Sequence, residues 1–358
     1  MSDGDSVISY EAPWPLYSVA WSERSDCPFR LAVGSHRANW RNYVQLLQLS
    51  APSDDDKPQH LEPRSSFRLF YPATKVQFLP SAQPMKRDLF AVSGDYLRIV
   101  EVLDEKKGAA AAGGAGATVG VENKPTEGSA TSTELFRFDL TGKEYCSPVT
   151  SFDWCRADPQ LMVAAAVNTT VQLLDIPQRQ VKVSVSAHDS AVYDVAFAPG
   201  SRDTVVSAGS DGSVRMIDFR ALDESLVVHQ LRPSTPVLRL SFNSHDQNYV
   251  ACALANESRV LVLDRRMPGV PVAELGSHQK PVNALCWHPE SPTKLVTAGE
   301  DAKVFVWDLG ALPPYKMIEN PELQYGAPGA VSNISWSAQQ TRWIAATIGS
   351  RLELLHIR

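Results

Sequence analysis

Two histidines first suggest chemistry in this chain. His188 is followed 19 residues later by Ser207 and, four further on, by Asp211; His278 is followed at the same offsets by Thr297 and Asp301. Each set lies within or just before a phrase that recurs, "AGSDGSVRMIDFR" at 208–220 and "AGEDAKVFVWDLG" at 298–310. Histidine with a carboxylate is the material of acid–base catalysis, and histidine clusters also bind metals. A metal site needs three or four ligands converging at about 2 Å. Neither His278 nor the run His188-x-x-x-x-Tyr193-Asp194 has a third His or Cys at ligand spacing. A phrase repeated at fixed offsets therefore reads as architecture.

Other chemical signatures are missing or break down on inspection. "GGAGATVG" at 113–120 puts Val119 where a dinucleotide fingerprint needs its third glycine, and no βαβ pattern surrounds it. No G-x-S-x-G, H-E-x-x-H or P-loop occurs, and Asp54-Asp55-Asp56 reads as a solvated loop. No cofactor, metal or catalytic set is expected, and the chain is read as non-enzymatic. Its 34 basic and 40 acidic residues leave a net charge of −6 with no long run of either sign, which argues against nucleic acid as a direct ligand. The five cysteines, Cys27, Cys146, Cys155, Cys252 and Cys286, include no C-x-x-C pair and read as reduced thiols of an intracellular protein. No run approaches the roughly 18 apolar residues of a membrane span, and no secretory signal is visible in "MSDGDSVISYEAP".

The elements that position the histidine sets emerge when the chain is aligned with itself. An apolar pattern closing on an aromatic recurs at Trp21, Phe78, Trp154, Phe197, Phe242, Trp287 and Trp336. The last four intervals, 43, 45, 45 and 49 residues, suit a propeller blade of about 40–45 residues, and the first two, 57 and 76, must hold insertions. These are placed at 50–66 and 104–132, the second rich in Gly, Ala, Ser and Thr. Each unit has short β-branched runs separated by turn residues, often apolar at consecutive positions, as in a sheet covered on both faces. The prediction is an all-β, seven-bladed propeller occupying 1–358, with the tryptophans in its core. "SVISY" at 6–10 is expected to supply the strand that "RLELLHIR" at 351–358 lacks, closing the ring and removing both sheet edges. Both insertions then fall between third and fourth strands and emerge on one face, leaving the other tidy.

This pattern resembles the WD-repeat propellers. "WDLG" at 307–310 carries the eponymous dipeptide, and "IDFR" at 217–220 and "LDRR" at 263–266 are degenerate versions. The resemblance implies a buried hydrogen-bonded set of His278, Thr297, Asp301 and Trp307. It implies a second of His188, Ser207 and Asp211, expected to be weaker because Ile217 replaces the tryptophan. "YEAPWPLYSVAW" (10–21), "YPATK" (71–75), "DLFAVSGDYLRIV" (88–100), "AHDSAVYDVAF" (187–197) and "DGSVRMIDFRALD" (211–223) are similar to one branch, the Transparent Testa Glabra type of plants and its animal counterpart, a cullin-4-associated factor. "HRANWRNY" at 36–43 departs from that branch in being basic and aromatic.

The resemblance implies a scaffold of nucleus and cytoplasm. Its implied partners are MYB and basic helix–loop–helix transcription factors, dual-specificity tyrosine-regulated kinases, or the adaptor of a cullin-4 ubiquitin ligase. For the adaptor, the W-D-x-R box places Arg220 and Arg266 as contacts; each could equally pair with its own Asp218 or Asp264. Asp95, Tyr96, Asp189, Ser190, His278, Gln279 and Lys280 are candidate contacts on the tidy face. A channel enzyme would need converging titratable groups on the inner strands, which offer Asp153, Asp194 and Arg239 at scattered positions.

Overall fold

A computed structural model describes residues 7–38, 40–50, 59–80, 88–104, 130–138, 140, 147–222, 225–231, 234–310 and 315–357. The strands form seven antiparallel sheets, each built outward from an inner strand. The inner strands are Leu16–Trp21, Lys75–Phe78, Val149–Trp154, Val192–Phe197, Val237–Phe242, Val282–Trp287 and Val331–Trp336. All seven signature aromatics are thus the last residue of an inner strand, and all are buried. The sheets are numbered here as blades 1–7 in that order.

The ring closes as the ends of the sequence suggest. Val7–Glu11 pairs antiparallel with Arg351–His356 and becomes the outer strand of blade 7, with Val7 opposite Leu355 and Glu11 opposite Arg351. Apolar side chains on both faces of each sheet are buried between neighbours. Seven hydrophobic clusters result, one at each junction between successive blades, including Leu16, Trp21 and Leu31 of blade 1 against Leu352 and Leu354 of blade 7.

Polar pins reinforce the junctions at a constant position, four residues before the aromatic. Thr74 Oγ1 donates to the Val149 carbonyl (3.0 Å), Thr150 Oγ1 to that of Val192 (2.6 Å), Asn283 Nδ2 to that of Val331 (2.9 Å) and Ser332 Oγ to that of Leu16 (3.2 Å). In blades 3, 6 and 7 this residue is skipped by the ladder, as the register shifts at Val149/Ser151, Val282/Ala284 and Val331/Asn333 record. A bulge re-aims a side chain, here from its own sheet to the next blade.

Two sequence expectations need correcting. The segment 50–66 is not wholly an insertion, because the outer strand of blade 1 is Leu61–Leu69, and 104–132 overlaps the outer strand of blade 2, Ala130–Phe138. Both segments are polar and alternating, which suits an outer strand with one face in solvent and masks it as loop composition. The Gly/Ala run at 113–120, the triple aspartate at 54–56 and Cys146 lie outside the described residues. Blade 5 also carries a fifth strand, Lys316–Ile318, lent by blade 6 and paired parallel to Pro271–Leu275. Among the described residues no helix is long and apolar enough to cross a membrane, and Cys27, Cys155, Cys252 and Cys286 are free thiols.

Candidate functional site: buried networks and two loop faces

The repeated phrase folds onto its histidine in both blades. In blade 6, His278 enters from the loop before the inner strand, Thr297 lies on the second strand Lys294–Gly299, and Trp307 on the third, Lys303–Asp308. Trp307 Nε1 donates to Thr297 Oγ1 (2.9 Å), Thr297 Oγ1 lies 2.8 Å from His278 Nε2, and His278 Nδ1 lies 3.0–3.1 Å from both oxygens of Asp301. One proton assignment satisfies every atom: indole to hydroxyl, hydroxyl to Nε2, and Nδ1–H to an ionised carboxylate. Burial pushes the His278 pKa down, Asp301 opposing it, so the ring is neutral. Asp301 also accepts the backbone N–H groups of Gln279 and Lys303, fixing two loops at once.

Blade 4 repeats the geometry with a different supporting cast. His188 Nε2 is 2.8 Å from Ser207 Oγ, and Nδ1 is 3.1 Å from both Asp211 oxygens. Ile217 donates nothing, but Ser213 Oγ donates to Asp211 (2.7 Å) and the Arg215 guanidinium reaches it at 3.3 Å. Burial works against ionisation of Asp211, but the Ser213 hydroxyl and backbone N–H outweigh it and hold the pKa at about 2. The set lacks an indole and gains a serine and an arginine. Lys303 and Phe305 stand at the matching positions of blade 6, so only the structure reveals this substitution of partners. The glycine of the phrase also has a physical reason. A Cβ at Gly209 would lie 2.4 Å from His188 Nδ1 and 2.7 Å from Asp211 Oδ1. These sets are buried and internally saturated, so they are supports for loops rather than contact residues. His278, proposed for both roles, belongs to the first.

Antiparallel strands place the loops between second and third strands, and those between blades, on one face; the remaining loops share the other. Asp95, Tyr96, Asp189, Ser190, Gln279 and Lys280 all lie on the first face. Asp189, Gln279 and Lys280 are exposed, whereas Asp95 is half-buried and held by Arg98 (2.5 and 3.0 Å). Tyr96 is half-buried beneath the Arg98 and Arg137 guanidiniums.

On the opposite face, Arg220 and Arg266 follow the third strands of blades 4 and 5. Each folds back on the carboxylate two residues earlier, Arg220 on Asp218 (2.9 and 2.6 Å) and Arg266 on Asp264 (2.9 and 2.6 Å), and each stays largely exposed. The blade 5 turn packs against blade 4, because the Gly269 N–H donates to the Val228 carbonyl in the outer strand Leu226–Gln230. Exposed Leu222, Leu226, Val227, Met267 and Val270 lie along the same two blades.

The central channel holds about 620 Å³ and is lined by all seven inner strands. Asp153, Asp194 and Arg239 do face it, joined by Glu23, Lys75 and Arg156. The carboxylates are occupied. Asp153 accepts from Gln77 Nε2 and from the Phe197 N–H, and Asp194 from Ser151 Oγ and the Leu240 N–H, so both staple one blade to the next. Arg239 donates to the Tyr17 hydroxyl (2.9 Å).

Two segments, 179–218 and 269–308, match the family described as WD domain, G-beta repeat. Each runs from the outer strand of one blade through the third strand of the next and contains one histidine set. The chain is 35% identical over 351 residues to the DDB1- and CUL4-associated factor 7 homolog of Dictyostelium discoideum, covering 98% of both proteins. The chain belongs to that WD-repeat family. It is also 34% identical over 326 residues to an uncharacterized WD repeat-containing protein of Schizosaccharomyces pombe, across 86% of this chain and 70% of that one. A WD repeat-containing protein of Saccharomyces cerevisiae is 30% identical over 328 residues, across 86% of this chain and 58% of that one.

Within this WD-repeat family fold, each histidine set sits at the root of a loop between blades, where its network fixes the loop. Ser213 and Arg215 carried no signal in the sequence, nor did Lys75, Glu23 and Arg156 in the channel. The inter-blade pins did have a signal, a hydroxyl or amide four residues before the aromatic in blades 2, 3, 6 and 7.

Proposed function

We propose that this protein is a non-enzymatic scaffold that assembles other proteins on a preformed surface. The observation that carries the reading is the saturation of the two histidine sets and of Asp153 and Asp194 in the channel. Among the described residues these groups are committed to internal partners, which leaves the loops they anchor little freedom to lose. A rigid surface binds partners at low ordering cost. Partners of the kind implied by the branch resemblance are MYB and basic helix–loop–helix factors for the plant type, or dual-specificity tyrosine-regulated kinases for its animal counterpart.

A second reading, substrate receptor of a cullin-4 ubiquitin ligase, is favoured by a specific surface. Arg220 and Arg266 are displayed on the same face of two neighbouring blades that also carry exposed apolar residues, and the near full-length relative is named for association with DDB1 and CUL4. Arginine's planar fork suits such an interface. The test is a quantitative pull-down of purified DDB1, comparing wild type with Arg220→Ala/Arg266→Ala. Selective loss in the double variant establishes the receptor role. Absence of capture by wild type removes the receptor reading and leaves the scaffold reading standing.

A further inference from the structure

The face opposite Arg220 and Arg266 carries a feature that neither reading uses. Trp40 lies in the loop between the second and third strands of blade 1, and Phe70 and Tyr71 lie in the loop to blade 2. Their exposures are 60%, 58% and 44%, high for aromatic side chains. Trp40 and Tyr71 meet edge to face at 5.0 Å, and the Arg68 guanidinium lies 5.7 Å from the centre of the Phe70 ring. Arg37 and Arg41 flank Trp40 in sequence. Among the described residues, no ion pair engages Arg37, Arg41 or Arg68, although most other arginines of the fold sit on a carboxylate.

This cluster is held open rather than left loose. Asn42 is fully buried, and its Oδ1 accepts from Ser35 Oγ (3.0 Å) and the Arg37 N–H (2.8 Å). Its Nδ2 donates to the carbonyls of Arg37 (3.0 Å) and Phe70 (3.3 Å), so one side chain ties both loops together. Trp40 itself has φ +59°, a left-handed conformation rare for a bulky residue. Backbone strain that keeps an apolar ring in water gains nothing for folding, and such strain concentrates where ligands are met.

We infer that Trp40, Phe70 and Tyr71 with Arg37, Arg41 and Arg68 form a docking site for an acidic peptide segment bearing an aromatic or aliphatic anchor. The rings supply a preorganised apolar seat, and the three unpaired guanidiniums supply the complementary charge. Nucleic acid is the competing polyanion. It requires a basic groove tracking several phosphates, whereas three arginines around one pair of loops on a chain of net charge −6 make a small, local positive site. The inference rests on the scaffold reading and assigns it one contact surface.

The test is fluorescence anisotropy with the full-length protein. The probe is a labelled peptide in which a Phe-Leu pair is flanked by Asp and Glu, set against its Lys-for-acid counterpart, polyglutamate and oligodeoxythymidine. The acidic anchored peptide should bind roughly tenfold or more tightly than the others. Trp40→Gly should abolish that preference while the melting temperature holds or rises, because glycine accepts the positive φ without strain. Arg41→Gln/Arg68→Gln should weaken binding and flatten its salt dependence. Equal binding of the Lys peptide, tighter binding of oligodeoxythymidine, or a lower melting temperature in Trp40→Gly without loss of binding would each overturn the site. None of these depends on Arg220 or Arg266, so failure here leaves the DDB1 pull-down untouched.

Discussion

At the scale of single residues, the hydroxyl of Thr297 is the hinge of the blade 6 network, because it accepts from Trp307 and donates to His278. Thr297→Val keeps the shape and orphans both neighbours, each at a cost of about 1–3 kcal/mol. Urea denaturation should therefore show a destabilisation of that order or larger, and a shift no greater than that of an exposed threonine would refute the chain of hydrogen bonds. The same network sets a pH dependence. Burial lowers the pKa of His278 and His188 below the unfolded value near 6.5, so the unfolded chain binds more protons in that window. Stability should hold above about pH 7 and fall as pH drops through about 6, while Asp211, held at about 2, adds a loss only below about pH 4. A melting temperature constant between pH 7 and 5 would mean that the histidines titrate in the fold as they do in the unfolded chain.

Elements behave here as parts of a ring rather than as independent sheets. Val7–Glu11 gives blade 7 its outer strand, and without it Arg351–His356 becomes an unpaired edge. The rings of Trp14 and Tyr43 stack at 4.7 Å just beyond that strand, and Ala12 N–H donates to the Ser350 carbonyl, so the closure extends past the ladder. Deleting residues 1–11 should lower the melting temperature by about 5 °C or more, since each kcal/mol lost is worth a few degrees. An unchanged melting curve would show that the other junctions carry the ring alone. The pins at Thr74, Thr150, Asn283 and Ser332 share the same task at four of the seven junctions, one weak bond at each.

For the whole molecule, exposed ion pairs and buried ones contribute differently to stability. Arg220 and Arg266 are solvent-exposed, and their partners, the half-buried Asp218 and the buried Asp264, keep the backbone N–H donors of the same arginines when the guanidiniums are removed, so these pairs have little to contribute to folding. Arg220→Ala/Arg266→Ala should melt with the wild type, which makes any loss of DDB1 capture a surface effect. A clear drop in melting temperature would instead place these arginines in the architecture. By contrast, Arg30 and Asp88, paired at 2.9 Å and almost fully buried between blades 1 and 2, belong to the structure.

The blade count, inner strands and closing strand were legible in the primary sequence because a propeller repeats one local problem. Each inner strand must end on an aromatic that fills the space between blades, and that demand recurs at Trp154, Phe197, Phe242, Trp287 and Trp336 with a nearly constant period. The histidine sets were legible for the same reason: their partners lie within one repeat, at offsets the chain itself displays. The outer strands at Leu61–Leu69 and Ala130–Phe138 were obscured, since a half-solvated strand is written in loop-like composition. Contacts between blades were invisible, as with Asp194 capping Leu240 and Arg30 meeting Asp88, because they join residues that the period does not relate. The cluster of Trp40 with Phe70 and Tyr71 was hidden for a different reason. Only the pairing of Asn42–Leu49 with Leu61–Leu69 inside blade 1, with Asn42 opposite Leu69, brings the two loops together, and the buried Asn42 side chain ties them.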